Sequence, residues 1–138
     1  MRKLIFLLII GLGLHPMVAQ QELERANTYF ERAFYSDAIP LYEQALSSDR
    51  SQQVLKNLAD SYYNTFDMHS AARWYKTVTS RSGNTSDASY YFKLNQSLKA
   101  IGKYDEAENA LRAYYNEMGD SLAIKKLNKD IRIFKQIA

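Results

Sequence analysis

The sequence predicts an all-α protein of antiparallel helix pairs, about three stacked in a row and closed by one capping helix. Composition is the first reason. The 138 residues include 5 Gly and 2 Pro, few for a β-sandwich or a loop-rich scaffold, while the abundant Ala, Leu, Lys, Glu and Gln favour helix. Periodicity is the second, since apolar residues recur at steps of three and four along most of the chain. Self-similarity is the third. Three segments align, and each places an alanine just inside its second helix, at Ala38, Ala71 and Ala107, spaced 33 and 36 residues apart. A chain of this length fits one domain.

The N-terminal stretch MRKLIFLLIIGLGLHPMVA is of a different kind. Arg2 and Lys3 form a basic start, Leu4 to Leu14 an apolar run of eleven residues, Pro16 breaks the helix, and Ala19 is a small residue before Gln20. That is the layout of a cleavable secretory signal over residues 1–19. A membrane span needs roughly 20 apolar residues, so no transmembrane span is expected after cleavage. Losing Arg2 and Lys3 reduces 18 basic residues to 16 against 15 acidic ones. The mature chain, 20–138, is therefore close to neutral, and a nucleic-acid partner loses the concentrated basic surface it would need. There is no cysteine, so export brings neither disulfides nor an N-terminal lipid anchor.

The repeats follow in order, at about 20–50, 52–83 and 88–118. The first reads ELERANTYFERAFYSDAIPLYEQALSSD from Glu22, the second VLKNLADSYYNTFDMHSAARWYKTVTSR from Val54, and the third YYFKLNQSLKAIGKYDEAENALRAYYNEM from Tyr90. The longer second interval is explained by the loop-forming insertion SGNTS at Ser82 to Ser86. Small residues let paired helices approach closely, and an aromatic one turn later fills the remaining space. Neither helix can bury its apolar stripe alone, so stacking supplies the core. Ser36, Asp87 and Asp120 are expected N-caps, and Asp105 with Glu108 a capping box. Pro40 is expected in the first turn after Ser36, where a missing N–H is tolerated. Gly119 suits a left-handed helix end.

The last segment, about 120–137, predicts a capping helix. Ile124, Leu127, Ile131 and Phe134 share one stripe suited to closing the third repeat, while Leu122, Ile133 and Ile137 fall on the opposite face. A simple cap should be polar outside. That second apolar face is therefore a candidate surface for a partner, beside the plain reading of a frayed chain end.

These repeats resemble the tetratricopeptide family, whose unit is about 34 residues. Leu58, Ala59 and Tyr62 match its first-helix pattern best. Ala26 with Tyr29 and Leu94 match in part, with Arg25, Asn95 and Leu98 departing from it. The second helices carry Ala38-Tyr42-Ala45, Ala71-Tyr75-Val78 and Ala107-Leu111-Tyr114, and the closing Pro of the family is missing from all three. The resemblance implies a right-handed solenoid. The order of a signal ending VAQQ, then ELERANTYFERAFYSDAIPLYEQAL, LADSYYNTFDMHSAARWYK and LKAIGKYDEAENAL, further resembles the N-terminal region of Bacteroidetes envelope proteins. Those carry tetratricopeptide repeats, a β-propeller and usually an OmpA-like peptidoglycan-binding domain, and some serve type IX secretion. This implies a periplasmic or outer-membrane-associated scaffold. Its alternative is a structural envelope part tethered to peptidoglycan through an OmpA-like domain that this sequence lacks.

In that architecture the first helices of successive pairs line a concave groove. By register the facing residues are Asn27, Phe30, Lys56, Asp60, Tyr63, Asn64, Phe92, Gln96 and Lys99, a polar and aromatic mixture suited to an extended peptide. A solvated face without a ligand is the plainer reading. Asp60 stands where the family's clamp for acidic C-termini uses an amide, which argues against that ligand. Most tyrosines, Tyr29, Tyr42, Tyr62 and Tyr75 among them, fall at packing positions. Trp74 points away from Tyr75, towards a neighbouring helix. Enzyme chemistry finds no support in the sequence. Only His69 remains after cleavage, so no multi-His metal site exists, and neither a nucleophile elbow nor a phosphate-binding glycine loop occurs. No cofactor and no small-molecule substrate are expected, and the partners are other envelope proteins.

Overall fold

The structure, a computed structural model, describes residues 15–81 and 87–137. The basic and apolar parts of the predicted signal, and the Ser82–Ser86 insertion, lie outside the described residues. Seven helices and no strand occur among the described residues: α1 (His15–Glu31), α2 (Tyr35–Ala45), α3 (Gln52–Asn64), α4 (Met68–Arg81), α5 (Ala88–Ala100), α6 (Tyr104–Glu117) and α7 (Ser121–Ile137). Each packs on the next in chain order, giving the pairs α1/α2, α3/α4 and α5/α6 and a closing α7. The chain is an all-α repeat solenoid.

Three turns make the pairs, and they are the same turn in the same register. Ala33, Phe66 and Gly102 are each left-handed, with φ of 60°, 62° and 74°. In each, the following N–H reaches back five residues: Phe34 to the Tyr29 carbonyl, Asp67 to Tyr62 and Lys103 to Leu98. The left-handed residue's own N–H closes the shorter bond, to Phe30, Tyr63 and Lys99. This pairing of bonds satisfies carbonyls that a helix end leaves open. Gly102 adopts the conformation without cost, whereas Ala33 and Phe66 hold it against the clash of a Cβ with the following carbonyl. Gly119, at φ 67°, ends α6 in the same manner, as its position in the sequence suggests.

The core runs unbroken through the stack. Ala26, Ala38, Leu55, Leu58, Ala59, Ala71 and Ala107 are buried, with the rings of Tyr42 and Tyr75 fully enclosed between them. A Leu side chain wholly removed from water contributes about 1.5–3 kcal/mol, so Leu55 and Leu58 anchor α3 on both neighbours. Asn95 occupies the small-residue position of α5. It is buried there because its amide donates to the Ala107 carbonyl of α6 at 2.7 Å.

Several predicted helix ends are corrected. Asp87 caps α5 through the Ser89 N–H, which holds its carboxyl below the usual carboxylate range, and Asp120 caps α7 through the Ala123 N–H. Ser36 is no cap: α2 begins at Tyr35, and Phe34 precedes it without a side-chain bond. Pro40 consequently stands inside the helix rather than in its first turn, leaving the Ser36 carbonyl without its helical donor. Asp105 is likewise the second residue of α6, after Lys103 at the cap position, so no capping box forms. In the first and third pairs the left-handed turn starts the second helix two residues earlier than cap chemistry alone suggests. Residues 15–19 are helical and Pro16 lies within α1, while the apolar run that Pro16 is expected to end lies outside the described residues.

Two substitutions test this packing. Phe66, 82% exposed, forfeits little burial when removed. Phe66→Gly is expected to raise stability by about 1 kcal/mol by relieving the left-handed strain, read as a higher midpoint in thermal circular dichroism. Ala71→Leu is expected to overpack the α3/α4 contact and destabilise by about 1–3 kcal/mol. An unchanged midpoint would place Ala71 outside any close contact.

Candidate functional site

The residues expected to face a groove lie on the first helices α1, α3 and α5, and two linked hydrogen-bond sets join these helices to their neighbours. In the first, the Tyr42 hydroxyl of α2 donates to Asn27 Oδ1 of α1 at 2.7 Å, and Asn57 Nδ2 of α3 donates to the same hydroxyl at 2.9 Å. Asn57 also reaches Asn27 Oδ1 at 3.4 Å. In the second, Tyr75 of α4 donates to Asp60 Oδ1 of α3 at 2.6 Å, and Lys93 Nζ of α5 approaches that oxygen at 2.7 Å. Asn27 and Asp60 hold one repeat position, Tyr42 and Tyr75 another, and Asn57 and Lys93 a third. The same three-way lock therefore joins each repeat to the one after it, first with amides and then with an ion pair.

The electrostatics follow from burial. Desolvation pushes the Tyr42 phenol up to about 12, with the nearby Glu31 carboxylate adding to it and the Asn57 bond opposing. Tyr75 is raised further, by burial first and then by the charge of Asp60, which accepts its hydrogen bond. Tyr90, whose ring lies 4.9 Å from Lys56 Nζ and 5.3 Å from Lys93 Nζ, is also pushed up to about 12 by burial and by Asp60 and Asp87.

The predicted groove residues divide into three groups. Asn27 and Phe30 come together with Glu31, Gln53 and Asn57 around a cleft of about 320 Å³ between α1 and α3. Gln53 Nε2 donates to Asn57 Oδ1 at 2.7 Å, so three amides and one carboxylate surround the space. Lys56, Asp60 and Tyr63 form a second group. Asp60 is committed to the lock, Tyr63 packs edge-on against Tyr75 at 6.0 Å, and Lys56 lies over Tyr90. The third group is open: Gln96 and Lys99 are exposed on α5, Asn64 is exposed at the end of α3, and Phe92 leans on Tyr114 at 5.4 Å. Asn57, Gln53 and Lys93 were missed by sequence reasoning. Asn57 beside Leu58 reads as ordinary core register, and the one signal was that amides stand at both Asn27 and Asn57.

On α7 two faces separate, with the side chain of Phe134 outside the described residues. Ile124, Leu127 and Ile131 are half-buried, and Asn128 accepts a bond from Arg112 of α6 at 2.5 Å. Leu122, Ile133 and Ile137 point outward, 76%, 42% and 78% exposed. His69 is exposed in the first turn of α4, where Asp67 caps the helix through the Ser70 N–H. Among the described residues, no group of three or more His, Cys, Asp or Glu is placed to hold a metal ion. No helix among them is long and apolar enough to cross a membrane.

The locks predict an alkaline limit. A phenol whose folded pKa exceeds its unfolded value stabilises fully below the unfolded value, and that stability is lost as pH rises through the folded one. The thermal midpoint is therefore expected to hold up to pH 10 and fall steeply towards pH 12, the interval between the ordinary value of 10.0 and that of Tyr42. Tyr42→Phe/Tyr75→Phe is expected to start lower, by about 0.5–1.5 kcal/mol per lost bond, and to fall less steeply over that interval in the same pH-resolved melting series.

No curated protein matches the chain. The sequence model of one family, described as anaphase-promoting complex, cyclosome, subunit 3, matches residues 31–114, from the end of α1 to the last turn of α6. That segment holds both locks' tyrosines and all three repeat alanines. With helix pairs, turns and locks repeating in one register over more than half of its length, the chain belongs to this family of tetratricopeptide-like helical repeats.

Proposed function

We propose that the protein is a non-catalytic scaffold of the cell envelope, exported by residues 1–19, that holds other proteins through its concave groove and its last helix. Repeats of this type commonly mediate protein–protein interaction, and their curved inner surface is suited to it. The observation that carries the reading is the cleft between α1 and α3. Asn27, Gln53 and Asn57 bring amide donors and acceptors to one space beside the Phe30 ring. An extended peptide has alternating N–H and C=O groups that such amides can bind, and a ring gives its side chains a flat apolar contact. The exposed Leu122, Ile133 and Ile137 support a second contact on α7. Export rests on the basic start, the apolar run and Ala19.

Proximity labelling in the native envelope tests the reading by comparing the wild-type chain with Ile133→Glu/Ile137→Glu and with Gln53→Ala. Loss of labelled envelope proteins in the double variant is expected if α7 docks them, and loss in Gln53→Ala if the groove does. A partner set unchanged in both variants would overturn the proposed surfaces, and labelling confined to cytosolic proteins would overturn export.

A further inference from the structure

The third repeat carries a cleft of about 280 Å³ that opens between α4, α5 and α6. Its walls are Tyr91, Leu94, Leu98, Ala110 and Ala113. Its rim is Asn109 and the ion pair of Lys76 with Glu106. Hydrogen bonding to Lys76 holds the Glu106 carboxyl below its ordinary range.

The repeat register explains why this space exists. Ala110 stands 36 residues after Trp74, Ala113 after Thr77 and Leu98 after Tyr62, so at three wall positions the third repeat has the smaller side chain. In the second repeat Trp74, at the position of Ala110, packs against the core, with the Arg73 guanidinium 5.1 Å from its ring. Leu94 repeats Leu58, and Tyr91 is larger than its counterpart Leu55, so the third repeat keeps one leucine of the wall and removes the indole ring.

We propose that this cleft is an anchor site for one tryptophan side chain of a partner polypeptide, supplying in trans the ring that Trp74 supplies in cis one repeat earlier. Size favours a single side chain, because the volume lies below the roughly 300 Å³ at which pockets for drug-sized ligands begin. The rim chemistry favours tryptophan over an aliphatic residue. Glu106 or Asn109 can accept an indole N–H, and the Lys76 ammonium can sit over the ring face as Arg73 does over Trp74. A buried indole in a desolvated pocket is the kind of contact that carries much of an interface's energy. This site shares no lining residue with the amide-lined cleft and does not depend on it.

The probe is N-acetyl-L-tryptophanamide, titrated into the full chain while the methyl resonances of Leu94, Leu98 and Ala110 are followed by NMR. Saturable shifts at those methyls are expected, with affinity at least about tenfold weaker in Ala110→Trp. The same variant is expected to melt higher, since the new indole fills the space. Ala113→Leu, a smaller change, should also weaken the probe while leaving the helical spectrum intact. Absence of saturable shifts, shifts that survive Ala110→Trp, or equal binding of N-acetyl-L-leucinamide would each overturn the proposal. A lower melting temperature for Ala110→Trp would overturn it as well, by showing that the cleft does not admit an indole.

Discussion

The stack depends on a tyrosine hydroxyl that has to find a partner. Tyr42 and Tyr75 are fully buried, and a hydroxyl taken from water without a hydrogen bond costs about 1–3 kcal/mol, enough to offset much of what burying its ring contributes. Each hydroxyl is satisfied by the first helix of its own pair, through Asn27 or Asp60. Those acceptors in turn receive Asn57 or Lys93 from the following pair. One buried group thus fixes two interfaces, within a repeat and between repeats. Apolar stripes alone would allow neighbouring helices to slide by a turn, whereas a donor held at 2.6–2.7 Å does not. The two versions differ in character. The amide set is neutral, and its energy is insensitive to salt. The Asp60–Lys93 pair is charged and partly exposed on the lysine side, so salt screens it and its contribution is smaller than its geometry suggests.

This demand explains how the groove is used. Lys56, Asp60 and Tyr63 face inward by register, yet their contacts go to Tyr90, Tyr75 and Lys93. The middle of the groove is occupied by its own structure. Side chains open to a partner lie towards the ends, at the cleft beside α1 and along Phe92, Gln96 and Lys99 of α5. A binding surface in such a solenoid is thus set by which positions the inter-repeat bonds leave over as well as by which positions face inward.

The helices and their pairing were legible in the sequence because both are written as local periodicity: the alanines at a fixed interval, the stripes at steps of three and four. Turn positions were legible only where glycine marks them. Gly119 was read correctly, but Ala33 and Phe66 adopt the same left-handed state with no residue signal. The expected caps at Ser36 and Asp105 failed for that reason, since the repeat geometry rather than the cap residue sets where α2 and α6 begin. The locks were invisible because each joins residues from three helices, the paired tyrosine and acceptor standing 15 residues apart. Inward-facing register identified Asn27 and Asp60 but gave no means of telling a ligand-binding amide from a structural one.

The third repeat shows what happens when the lock ends. The position of Tyr42 and Tyr75 is taken by Leu111, which has no hydroxyl, and that of Asn27 and Asp60 by the exposed Gln96. With no donor to satisfy, nothing fixes the next helix at this position, and α7 is held instead by its half-buried stripe and the Arg112–Asn128 bond. Few buried contacts and exposed hydrogen bonds are the features of a segment that opens at low free-energy cost. The stack is therefore graded from a locked N-terminal half to a looser C-terminal end. The exposed apolar residues of α7 sit at that looser end, where a partner helix could displace or extend α7 without breaking a buried polar network. Docking at α7 would thus cost little of the stability that the two locks supply.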